Sequence, residues 1–119
     1  MPKYLLLLNE LESPYVDSDD AMFNEIMAMH DDFTKRVVEA GATVLGGEAL
    51  RPLATSTFLR ATRSPEVAVV DNPAPDVKEV LGGYYLIEAV DEAQAVELAK
   101  QCPSPHGFVE VRPVWEFDA

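Results

Sequence analysis

Two short segments of this chain are apolar at both position parities. Residues 3–9 read KYLLLLN and residues 83–90 read GYYLIEAV. Each is too short for a buried helix and is flanked by polar or glycine residues, which predicts strands. Successive side chains of a strand point to opposite faces, so a strand apolar at both parities has to be buried on both. In the second segment Tyr84 and Leu86 oppose Tyr85 and Ile87. A fold for this chain must therefore cover its sheet front and back.

The rest of the chain supplies few elements to do so. Residues 18–41 predict a long helix, capped by Asp17 or Ser18, with Asp19 and Asp20 at the positive end of its dipole. Phe23, Ile26, His30, Phe33, Val37 and Ala40 recur at helical spacing, and Asn24, Glu25, Asp31, Asp32 and Lys35 lie opposite. Gly41 is a natural stop. Residues 42–50 predict a second strand, where Gly46-Gly47 marks a bulge or a close approach. Residues 55–62 and 66–70 predict a hairpin turning at Ser64-Pro65, followed by an irregular loop at 71–76 that holds two prolines. Asp91 with Gln94 approximates a capping box for a helix from Glu92 to Cys102, stopped by Pro103. Residues 106–117 predict a final strand.

Strand–helix–strand thus occurs at 3–50 and again at 83–117, with the hairpin between. Two such halves sharing one sheet give an α+β, ferredoxin-like βαββαβ arrangement with an inserted hairpin, as a single domain over 1–119. Two helices cover only one face of that sheet. The other face would be a large exposed apolar patch, which soluble monomers rarely carry. The economical cover is a second copy of the chain, giving a homodimer and a dimeric α+β barrel. The alternative is that the hairpin and the C-terminal tail cover the face within one chain.

Composition narrows the partners. The chain has 119 residues, with 9 basic against 21 acidic side chains and a net charge of −12. That argues against nucleic acid and against an anionic membrane surface. The single cysteine, Cys102, excludes an internal disulfide and reads as a small buried filler. The apolar run at the N-terminus is too short for a secretory signal or a membrane span, so the expected location is cytoplasmic. Two histidines 76 residues apart make a metal site a weak reading. No G-x-G-x-x-G precedes a helix, no serine sits in a nucleophile elbow, and the aspartates at 17, 19 and 20 lack the rest of a calcium loop. No cofactor is expected.

Residues 71–88, DNPAPDVKEVLGGYYLIE, resemble the YCII-related family, within it the branch named for its DGPF-A-E-T-K-E signature. Asp71, Pro73, Lys78 and Glu79 match the signature in place, as does the run from Leu81 to Glu88. The opening MPKYLLLL, the GGEAL-P-A stretch at 46–54 and VEVRPV at 109–114 are similar too. Asn72, Ala74, Pro75, Asp76 and Val77 depart from the signature; the loss of its Phe removes an aromatic that could close a pocket. The resemblance implies a ferredoxin-like fold and a dimeric α+β barrel. In the wider YCII group a His and an Asp meeting in a pocket have suggested enzymatic activity, and His30 lies in the corresponding helix.

His30 is the sharpest catalytic candidate. It interrupts an apolar stripe facing the sheet, and imidazole exchanges a proton near neutral pH. Asp71, ending a strand at the signature loop, is the candidate to orient or charge it; it could equally organise its own turn. Lys78 and Glu79 are an ion pair anchoring that loop or part of a pocket lining. Glu110 and Arg112 share one face of the last strand, as a structural or interface bridge or as ligands for an anionic substrate. Arg60 has a lesser claim of the same kind, and His106 reads as exposed. The favoured function is a cofactor-independent lyase, isomerase or hydrolase acting on a small organic molecule through a His30–Asp71 pair. The alternatives are a non-catalytic small-molecule-binding or regulatory module, and a structural part of a larger assembly.

Overall fold

The leucine run at the N-terminus forms strand β1 (Lys3–Glu10), whose alternate residues Tyr4, Leu6 and Leu8 are buried while Leu5 and Leu7 are half-buried. The computed structural model describes residues 1–12, 14, 19–71 and 79–117, without the side chains of Val70 and Asp71. After β1 come α1 (Asp20–Glu39), β2 (Thr43–Ala49) and a short 3-10 turn (Leu53–Thr55). The hairpin strands β3 (Thr57–Arg60) and β4 (Ala68–Asp71) follow, then β5 (Val80–Glu88), α2 (Glu92–Ala99) and β6 (Gly107–Pro113).

Four strands form one antiparallel sheet in the order β2-β5-β1-β6. The two apolar segments are its central pair, with Leu6 opposite Tyr85 and Leu5 opposite Leu86. Strands β3 and β4 pair only with each other, Phe58 opposite Val70 and Thr57 opposite Asp71. The result is an α+β protein compatible with a ferredoxin-like fold, with the hairpin inserted between its halves.

Both helices pack on the same face. Tyr4, Leu6, Leu8, Ile87 and Ala89 of the sheet segments meet Phe33 and Val37 of α1, and Ala95, Leu98 and Ala99 of α2. Phe33, Leu6, Ile87 and Val37 are the largest fully buried side chains. Burying each contributes roughly 1.5–3 kcal/mol of transfer free energy. The other face presents Leu5, Leu7, Tyr84 and Leu86, half-buried by their neighbours in the sheet.

The helix ends show the local chemistry. Asp19 caps α1, its carboxylate accepting from Met22 N at 2.8 Å; the cap expected at Asp17 or Ser18 lies outside the described residues. Gly41 follows the C-cap Ala40 with φ +80°, the left-handed geometry that favours glycine. Asp91 caps α2 through Gln94 N at 2.9 Å, and Gln94 answers by accepting from Val90 N at 2.7 Å. Gln94 Nε2 also donates to Ala40 O at 2.9 Å, tying α2 to the end of α1.

Several expectations are corrected. Helix α2 ends at Ala99, so Cys102 is buried just beyond it rather than inside it. Strand β6 stops at Pro113, and Trp115 and Phe117, expected within the strand, lie beyond it and are 82% and 79% exposed. They stack on each other, with ring centroids 5.7 Å apart. Phe23, expected at the sheet, is 57% exposed. The stripe on α1 packs tightly only from Phe33 onward, and its first half stands over an open space.

Candidate functional site

That space is a cavity of about 560 Å³ under the N-terminal half of α1. Ile26, Met27 and His30 line it from the helix, and Leu8, Gly47 and Tyr85 from β1, β2 and β5. It lies on the helix side of the sheet because Tyr85 shares its parity with Ile87, the buried core residue.

His30 and Tyr85 meet there. His30 Nδ1 lies 2.5 Å from Tyr85 Oη, and both residues are half-buried. The phenol ring is wedged between His30 and Phe33, with centroid separations of 5.8 and 4.9 Å. Gly47, the cross-strand partner of Tyr85, makes room for it. A Cβ at Gly47 would lie 2.6 Å from Tyr84 O and 2.9 Å from Tyr85 Cδ1. Of the glycine pair marked in the sequence, Gly47 is thus the close approach that seats this tyrosine, and Gly46 follows a shift of register after Val44.

Burial sets the ionisation of the pair. Desolvation pushes His30 below its usual value, and the nearby Asp31 opposes this only in part. Desolvation drives Tyr85 up to about 12, helped by Cys102 and Asp31. At neutral pH the site therefore holds an uncharged imidazole against an uncharged phenol.

Carboxylates frame the cavity. Glu12 is committed to structure, its two oxygens accepting from Leu53 N at 3.2 and 3.0 Å. Glu10 Oε2 is buried with no hydrogen-bond partner among the described residues. Burial raises the Glu10 pKa, and Ser104 pulls it back in part. Cys102 is pushed up to about 12 by burial and by Glu10, which fits an inert filler rather than a reactive thiol.

The other expected site residues fall in different places. The backbone of Asp71 ends β4 opposite Thr57; its side chain, and all of Lys78, lie outside the described residues. Glu79 is exposed, next to Val80, which lines the cavity. Glu110 and Arg112 sit on the opposite sheet face, paired with Leu7 and Leu5 of β1. There Arg112 Nε donates to Glu110 Oε2 at 2.5 Å, a bond within one strand rather than across two. Arg60 is exposed on β3, and His106 is half-buried where exposure was expected. Among the described residues no group of three His, Cys, Asp or Glu side chains is placed to hold a metal ion. None of the helices among them is long and apolar enough to cross a membrane.

Tyr85 and Glu10 were not singled out from the sequence. The sequence offers two tyrosines of opposite parity, Tyr84 and Tyr85, and the structure shows that Tyr85 is the one that meets His30.

A comparison with curated proteins finds no match for the chain. The model of the YCII-related domain matches residues 3–118, which span both halves of the sheet, both helices and the cavity between them, and the chain belongs to that family.

Proposed function

We propose that the chain binds a small, largely apolar organic molecule in the cavity under α1, with His30 as the acid–base group of cofactor-independent chemistry of the lyase, isomerase or hydrolase type. The observation that carries this reading is a half-buried imidazole at the wall of a mostly apolar cavity of about 560 Å³. That volume falls in the range of small-molecule sites, and a depressed histidine pKa suits a base at neutral pH. Asp71, at the end of β4, remains the proposed second member, and Lys78 and Glu79 remain proposed ligand-binding residues. The match of Asp71, Pro73, Lys78 and Glu79 to the signature supports a place in the DGPF branch.

The apolar walls favour a second reading, a binding or regulatory module that holds an effector without turning it over. The test is a panel of small aromatic and carbonyl compounds, followed by the ring signals of His30 in NMR. Binding is expected for the wild type and lost in Ile26→Trp, which fills the cavity. His30→Gln is expected to keep binding, read from the compound's own NMR signals, and lose turnover. Compounds bound but never converted would leave the module; no compound perturbing His30 would remove both readings.

We also propose a homodimer built on the uncovered sheet face, which closes the α+β barrel. The chain measures 48 × 46 × 18 Å, and its radius of gyration is 16.5 Å. A globular domain of this length would have about 13.5 Å. The shortest dimension accommodates one helix layer on one sheet and no third layer. The Glu110–Arg112 pair, lying on this bare face, is assigned to the interface and not to substrate.

A further inference from the structure

We infer that His30 and Tyr85 form one bifunctional proton-transfer couple, acting on an enolisable carbonyl compound. This rests on the reading of the cavity as a small-molecule site. The two groups share a 2.5 Å contact at the cavity wall, and among the described residues neither ring nitrogen nor the hydroxyl has another hydrogen-bond partner.

The contact has two arrangements. In the first, Nδ1–H donates to Oη, Nε2 carries a lone pair, and the Tyr85 hydroxyl proton is free for a ligand. In the second, the hydroxyl donates to Nδ1 and Nε2 carries the proton. A keto–enol shift converts one into the other. Nε2 takes a proton from the carbon beside a carbonyl, and the C–H electron pair becomes a C=C bond. The carbonyl π pair moves onto oxygen, which takes the Tyr85 hydroxyl proton. Nδ1–H passes its proton to the tyrosyl oxygen. The ligand is now an enol, Tyr85 is again a phenol, and His30 is its other tautomer. Reversing the steps while delivering the Nε2 proton to a different carbon of a conjugated enol releases an isomer and restores the first arrangement. Protons balance at every step, and no oxidant, water or cofactor is consumed.

The composition of the walls selects this class. Among the described residues lining the cavity there is no Ser, Thr, Cys or Lys. Acyl transfer through a serine, threonine or cysteine, and imine chemistry through a lysine, therefore lack their nucleophiles among them. The phenol stays protonated and the imidazole unprotonated at neutral pH, the states the first arrangement requires.

The test uses the full chain with two probes. Cyclohexanone in D2O reports loss of its α-hydrogens by NMR, and cyclohex-3-enone reports conversion to its conjugated isomer by absorbance. Wild type should accelerate both. Tyr85→Phe should lower the rates by about 10²-fold, the lower end of what one acid–base group contributes. It should still bind, as seen in the His30 ring signals. In the wild type, phenol, an enol mimic, should shift the ¹⁵N signals of His30 toward the Nε2–H tautomer, a readout that needs no variant. Probes that bind at His30 without exchange, or equal rates in Tyr85→Phe, would overturn the couple and leave the binding site standing. Failure of both ketones and phenol to perturb His30 would overturn the binding site itself, and the couple with it.

Discussion

At the scale of single residues, the helix side of the sheet holds two titratable groups with opposite pH preferences. His30 ionises near 6.5 when unfolded and lower when folded, because burial disfavours the imidazolium. The unfolded chain then binds more protons between those two values, so His30 removes stability as pH falls from 6.5 through the folded value. Glu10 runs the other way. Its folded pKa lies above 4.5, so its contribution is complete below 4.5 and is lost as pH rises through the folded value. Urea unfolding from about pH 7 down to about pH 5.5 should show His30→Gln gaining on the wild type as the medium acidifies. Glu10→Gln should gain on the wild type in the opposite direction, as pH rises above 4.5. A gap between His30→Gln and wild type that stays constant with pH would mean the imidazole is as well hydrated in the fold as in the open chain.

At the scale of elements, β2 and β5 pack closely enough to set the position of the tyrosine. Gly47→Ala places a methyl group 2.6 Å from Tyr84 O and 2.9 Å from Tyr85 Cδ1. Replacing a strand glycine recovers about 0.5–1 kcal/mol of chain entropy. Overpacking against backbone costs about 1–3 kcal/mol, so the net is expected to be destabilising. The same variant should change the His30 ring signals, because its partner ring is displaced; an unchanged urea midpoint and unchanged signals would refute the close approach. Elements of this kind were partly legible in the sequence. The period of two sorts the residues of β1 and β5 into two faces, but both faces are apolar, so the pattern does not tell which one meets the helices. The capping residue of α1 was not legible: Asp17, Ser18, Asp19 and Asp20 are all competent caps, and only backbone dihedrals choose Asp19. The open space beside Ile26 and Met27, with Phe23 exposed, was also hidden. A helical stripe records which side is apolar, not how far along the helix the neighbouring layer follows it.

At the scale of the whole molecule, the proposed dimer would bury the bare sheet face together with the tail beyond β6. A stable interface buries about 800 Å² of accessible surface on each partner. Trp115 and Phe117, nearly fully exposed and stacked just past β6, would add to the face, since aromatic side chains bury about 150–250 Å² each. Val114 N donates to Lys3 O at 2.9 Å, which holds the start of this tail beside the first residue of β1. Charge opposes the association, because each copy carries −12. Screening shortens that repulsion to about 8–10 Å at physiological salt, so the dimer should tighten as salt is added. Trp115 is the sole tryptophan, and its emission reports directly on the tail. Diluting the wild type should shift that emission to the red at the same concentration at which light scattering falls to the monomer mass. Leu7→Glu, on the bare face and away from the cavity, should be monomeric throughout, with red emission and the core intact by circular dichroism. Phe117→Ala should weaken the association at least tenfold. A wild type that scatters as a monomer at every concentration and salt would show that the face is tolerated in water, and Leu5, Leu7, Tyr84 and Leu86 would then need a different explanation.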